Sequence, residues 1–128
     1  MAKSSSEMAQ QMAAAACEFE LQRTGHAPKS IAAVLVNDTL VVTLHGILSP
    51  VEMELAKDHA DRVKLFHREL FTNSCGPLRQ RIEEITRVAV REAMSEVATE
   101  TGTVVQVFLL AGSFAAGNWS GSGLGGQG

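Results

Sequence analysis

The stretch from Asp38 to Leu55 constrains the fold more than any other part of the chain. It begins with the β-branched and aliphatic run Thr39 to Ile47 and closes on Ser49-Pro50-Val51-Glu52. Serine is a strong N-cap, proline suits the first helical position, and glutamate three residues after the cap completes a capping box. A strand must therefore end and a helix begin within a few residues, and Gly46 permits the bend. Just upstream, Ser30 to Val36 is a second β-rich run, separated from the first by Asn37-Asp38 alone. Both turn residues tolerate positive φ, so the two runs read as a tight hairpin. The second strand is apolar on both sides, with Leu40, Val42 and Leu44 on one face and Val41, Thr43 and His45 on the other. Such a strand needs cover on both faces, from helices or from a second subunit.

The flanking elements follow from periodicity. Met8, Met12, Ala15, Ala16 and Phe19 recur at helical spacing, which predicts a first helix over 6–23. Ser4 to Ser6 offer caps, Glu7 sits near the positive end of the dipole, Gly25 suits a left-handed end and Pro28 prevents resumption. This Met/Ala face covers a sheet or serves as a dimerisation helix. The helix from Pro50 is expected to bend or break near Asp58, then to continue with Ala60, Val63, Phe66 and Leu70 on one side. Gly76-Pro77 gives a kink or a fresh helix start, after which Leu78, Ile82 and Ile85 extend the apolar stripe. Residues 88–97 satisfy either periodicity: Val90, Ala93, Met94 and Val97 fit a helix, whereas Val88, Val90, Glu92 and Met94 would share a face of a strand. The turn 99–102 and the emphatic strand Thr103 to Leu110 follow. From 111 onward the composition is that of a flexible Gly/Ser-rich tail, with Phe114 and Trp119 as its only anchors.

At 128 residues the chain is expected to form one domain with a core of its own. Its formal charge is −3, and Arg79, Arg81, Arg87 and Arg91 alternate with Glu83, Glu84 and Glu92, so no basic patch exists to displace counterions from a nucleic acid. No run approaches the ~20 apolar residues of a membrane span. Ala14-Ala15-Ala16-Cys17 resembles a lipoprotein cleavage site only faintly, because Glu7, Gln10 and Gln11 interrupt what precedes it. Two widely spaced cysteines, Cys17 and Cys75, fit free buried thiols in a reducing, cytoplasmic compartment.

Candidate chemistry is sparse. His59 and His67 are eight apart, not the four that lets one helix face ligate a metal, and His26 and His45 are scattered. Cys75 lies near a helix start, where a thiolate is stabilised, but buried inert thiols are commoner. Ser49 is explained by capping, and no Gly-x-Ser-x-Gly elbow is present. The glycines at 121–126 lack the strand-before, helix-after setting of a phosphate loop. Glu52, Glu54, Asp58 and Asp61 are interspersed with Lys57, Arg62 and Lys64, the pattern of a solvated helix face. These residues therefore supply no catalytic, cofactor-binding or metal site.

The order Asp38-x-Leu40-Val41-Val42-x-Leu44-x-Gly46-x-Leu48-Ser49-Pro50-x-Glu52-x-x-Leu55 resembles the core of the MpsC-like family, which is described with Na+-translocating, membrane-potential-generating systems. The similarity continues through Arg68 to Leu70, Ile82-Glu83-Glu84-Ile85-Thr86, and Gly102 to Leu110. Two departures stand out. Arg87 occupies a position where the family tends to have glycine, and Glu92 to Glu96 replaces a polar, Asp-containing segment. The resemblance favours a strand at 88–97 and implies a cytoplasmic accessory protein, with no catalytic residue to transfer. The expectation is an α+β domain of αββααββ type over 1–110, with antiparallel hairpins packed by helices, followed by the tail. A non-enzymatic interaction role is expected, as a homo-oligomer (a dimer) that also meets a membrane-protein partner. The alternative is a small enzyme or ligand-sensing domain with a pocket between sheet and helices, using His45, His59 or Cys75.

Overall fold

A computed structural model describes residues 5–112 and 119–123. The chain runs α1 (Ser5–Thr24), β1 (Ser30–Val36), β2 (Thr39–His45), α2 (Pro50–Ser74), α3 (Gly76–Thr86), β3 (Val90–Ala98), β4 (Thr103–Leu110) and β5 (Trp119–Gly123). All strand pairs are antiparallel, in the order β3-β4-β2-β1-β5. The architecture is the expected α+β fold, with one strand more than its core plan.

The punctuation residues act as their chemistry dictates. Asn37 takes φ 57° and Val36 pairs with Thr39, so a two-residue turn joins β1 to β2. Gly25 closes α1 at φ +74°, its N–H donating to Leu21 O at 2.8 Å. Gly46 carries φ +69°, and a Cβ there would lie 2.6 Å from Lys29 Cγ. Neither the backbone angle nor the space suits another residue. The capping box is complete: Glu52 N–H donates to Ser49 Oγ at 3.2 Å, and Ser49 N–H to Glu52 Oε1 at 3.0 Å.

The anticipated break in α2 falls at His59, whose φ −134° and ψ 47° are non-helical. It is a sharp corner. Glu52 and His67 are bonded side chain to side chain at 2.5 Å, although fifteen residues of straight helix would hold them roughly 22 Å apart. Two arms must therefore fold back on one another. The buried face of the second arm is Val63, His67 and Phe71, while Phe66 is exposed. The expected stripe through Ala60, Phe66 and Leu70 is thus corrected: Glu52 satisfies His67, so a histidine can face the core and the helix turns accordingly.

Residues 90–98 are a strand, and it carries an irregularity that periodicity could not supply. The register slips between Val90 and Glu92, so Val90 points to the buried side and Met94 to the other. The single face expected for Val90, Glu92 and Met94 is therefore broken by a bulge. The tail is also corrected in part. Residues 119–123 pair with β1 from Leu35↔Trp119 to Ile31↔Gly123, giving partners to an edge that would otherwise expose unpaired N–H and C=O groups. Phe114 and the remainder of the tail lie outside the described residues.

Strands β1 to β4 bury the same side of the sheet. Ile31, Ala33 and Leu35, then Leu40, Val42 and Leu44, then Val104, Phe108 and Leu110 are buried, and the residues between them are not. All three helices lie on that face. Phe71 of α2 meets Phe19 of α1 edge-on at 6.2 Å and Phe108 of β4 at 6.1 Å, joining both helices to the centre of the sheet. The cover required on the second face of β2 does not come from these helices.

Candidate functional site

Besides Thr86 and Ser95, three polar residues are buried in this apolar layer. On α1, Glu20 is 0% exposed and follows the buried Met12 and Ala16 at helical spacing. Gln106, also 0% exposed, interrupts the inward series Val104, Phe108 and Leu110 of β4. His67 on the second arm of α2 is 2% exposed. They form one cluster across α1, α2 and β4. Arg23, one turn beyond Glu20, pairs with its Oε1 while its guanidinium stacks 4.6 Å from the Phe19 ring centroid. Gln106 Nε2 donates to the same Oε1 at 3.5 Å, and His67 Nε2 lies 2.5 Å from Glu52 Oε2.

The electrostatics of the two carboxylates are opposite. Burial pushes the Glu20 carboxyl above its ordinary value, because desolvation outweighs the pull of Arg23 and His67, and Glu52 adds repulsion. Burial also acts to raise Glu52, but the Ser49 N–H and the adjoining His67 outweigh it and hold that carboxyl low. Among the described residues, the buried side-chain polar atoms without a hydrogen-bond partner are Glu20 Oε2, Arg23 Nε and Nη1, His67 Nδ1 and Gln106 Oε1. Every one belongs to this cluster.

Surface depressions lie elsewhere. One beside the first arm of α2 is lined by Pro50, Val51, Glu54, Leu55, Asp58 and His59, and another between α1 and α3 by Ala15, Glu18, Phe19, Gln22, Pro77, Leu78 and Arg81. Neither reaches Glu20, His67 or Gln106. Its directional bonds do two things that apolar packing does not: Gln106 and Glu20 tie β4 to α1, and His67 and Glu52 hold the two arms of α2 together.

With this geometry in view, the comparison with known families is informative. The family model described as the Na+-translocating membrane potential-generating system (MpsC) matches residues 4–112. The chain belongs to the MpsC family. No curated protein and no solved structure matches it. The structure shows what Arg87 does. Arg87 caps α3 in the left-handed region at φ 62°, ψ 22°, its N–H donating to Glu83 O at 2.8 Å. Glycine adopts that conformation without steric cost.

The other candidates are dispersed through the MpsC fold. His26 Nε2 bonds Gly46 O at 3.0 Å, His45 at the end of β2 lies 3.4 Å from Thr103 Oγ1, and His59 forms the corner of α2. Cys75 is buried at the α2–α3 junction and Cys17 is half-buried on α1, both as free thiols. Glu54 pairs with Lys57 at 2.9 Å on the exposed surface, and Asp58 and Asp61 are exposed nearby. Of the residues singled out in the sequence, the structure brings together Glu52 and His67. It adds Glu20, Arg23 and Gln106, which sequence reasoning missed. Their signal was present, since each places a polar group in register with an otherwise apolar series.

Proposed function

We propose that this protein is a non-enzymatic, cytoplasmic accessory component of a Na+-translocating membrane potential-generating system, and that it acts by holding a membrane-protein partner. The observation that carries this reading is the apolar outer side of the first arm of α2. Val51 is 77% exposed, and Leu55 shares its helical face beside the depression that runs to His59. On the second arm Leu65 and Phe66 are also exposed, Phe66 at 56%. Large apolar side chains at these exposures mark contact surfaces when they cluster. Support from the other side comes from the polar cluster, whose groups are turned inward. No described helix is long and apolar enough to cross a membrane, so in this reading attachment to the system runs through protein contact.

The test is affinity capture from detergent-solubilised membranes, using the purified full chain as bait. Wild type is expected to retain an integral subunit of the Na+-translocating system, identified by mass spectrometry, and V51E/L55E to lose it at least tenfold. Recovery of the bait alone would overturn the proposal, as would equal recovery by both baits.

A further inference from the structure

The described helices leave the other face of the sheet uncovered, and much of that face is apolar. The strand registers align its side chains in rows. One row runs Met94–Val107–Val41–Val34 across β3, β4, β2 and β1, and its neighbours run Glu96–Val105–Thr43–Ala32 and Glu92–Leu109–Thr39–Val36. Val34, Val36 and Met94 are exposed, Met94 at 48%, and Val41, Val105, Val107 and Leu109 are only half-buried. Valine and leucine predominate on this face among Ala32, Thr39, Thr43 and Met94, and its carboxylates, Glu92 and the Arg68-paired Glu96, both sit on the edge strand β3.

We infer that a second copy of this chain covers this face, stacking sheet on sheet about a two-fold axis parallel to the strands. This is independent of the α2 surface and of the partner assigned to it. Width argues against a helix as the occupant. Five strands span about 24 Å, whereas a helix with its side chains is about 10–12 Å across and would leave half the row exposed. A second sheet matches the full width, and sheets pack face to face about 10 Å apart. The footprint, about 24 Å by 25 Å or roughly 600 Å², lies at the low end of the ~600–1,000 Å² per partner of stable interfaces.

Charge selects the axis. With the axis along the strands, β2 lies over its own copy and β3 over the partner's β5, so the two Glu92/Glu96 pairs are about 19 Å apart laterally. That exceeds the screening length of ~8 Å at physiological salt. An axis across the strands would place β3 over β3 and bring the two Glu92 carboxylates together, beside Glu96 groups already paired with Arg68 at 2.7 Å. In the favoured arrangement Val41 faces Val41 of the second copy.

Light scattering on the full chain tests this. Wild type is expected at twice the 13.6 kDa chain mass. V34K/V41E is expected at the single-chain mass, and V51E/L55E is expected to remain dimeric. A wild-type monomer at 100 µM, or a dimer that survives V34K/V41E, would overturn the inference. Circular dichroism separates dissociation of V34K/V41E from unfolding, and a cross-link provides the second reading. In a C17A background, V41C is expected to join to itself through a short bismaleimide, and M94C is not. The reverse pattern, or no link from V41C, would overturn it equally.

Discussion

Arg87 is where the backbone and the side chain disagree most plainly. A φ of 62° brings the Cβ of an L-residue close to the following carbonyl, at about 1 kcal/mol or more, and the Arg87 side chain lies exposed at the surface. R87G is accordingly expected to stabilise the protein by about 0.5–1 kcal/mol in urea denaturation. No gain, or a loss, would show that the arginine side chain contributes more than the strain. The Glu20 carboxyl makes a second prediction at this scale. Its folded value lies above 4.5, so the folded state binds this proton more tightly than the unfolded state does. Stability from this group is full below about 4.5 and falls as pH rises through the raised value. Glu52 behaves oppositely. Its folded value is below 4.5, so its contribution is present above that pH and is lost as pH falls through the lowered value. Melting temperatures across pH 3–8 should therefore fall less steeply above pH 4.5 in E20Q than in wild type, and an unchanged slope would exclude Glu20 as the titrating group.

At the scale of elements, the corner in α2 is the feature that holds the most structure with the fewest residues. Glu52 closes the capping box with one oxygen and bonds His67 with the other. E52Q preserves the box, since glutamine serves at that position, and removes only the charged clamp on the second arm. Its expected cost is about 1.5–3 kcal/mol, the range for hydrogen bonds to charged groups. S49A removes the cap alone, at about 1 kcal/mol. If thermal or urea unfolding found E52Q no more costly than S49A, the corner would be held by packing instead. Legibility in the sequence divides along the same line. Local chemistry announced the hairpin, the Ser49–Glu52 start, the end of α1 at Gly25 and the restart at Pro77, because each depends on neighbours within a few residues. The corner's sharpness, the bulge after Val90 and the partner of His67 depend on groups distant in sequence. Likewise, Gln106 and Glu20 are eighty-six residues apart and meet only in the folded sheet. A polar residue in an apolar series signals that a partner exists, but not which one. The fifth strand was hidden for a different reason: its Gly/Ser composition has little strand propensity, and only the open edge of β1 gives it a place.

At the scale of the whole molecule, the fold separates what is sealed from what is offered. The titratable cluster lies inside, between helices and sheet, where it ties α1 to β4 and closes the corner of α2. Two apolar surfaces face outward, the first arm of α2 and the open side of the sheet. In the proposed reading the protein works through what these surfaces touch, and its family is described as a Na+-translocating membrane potential-generating system. The most direct measurement of the central claim is Na+-dependent membrane potential, read with a voltage-sensitive dye in vesicles from cells lacking this protein. Added wild-type protein is predicted to restore the potential, and V51E/L55E to restore less than a tenth of it while melting within a few degrees of wild type. Full restoration by V51E/L55E would contradict the account.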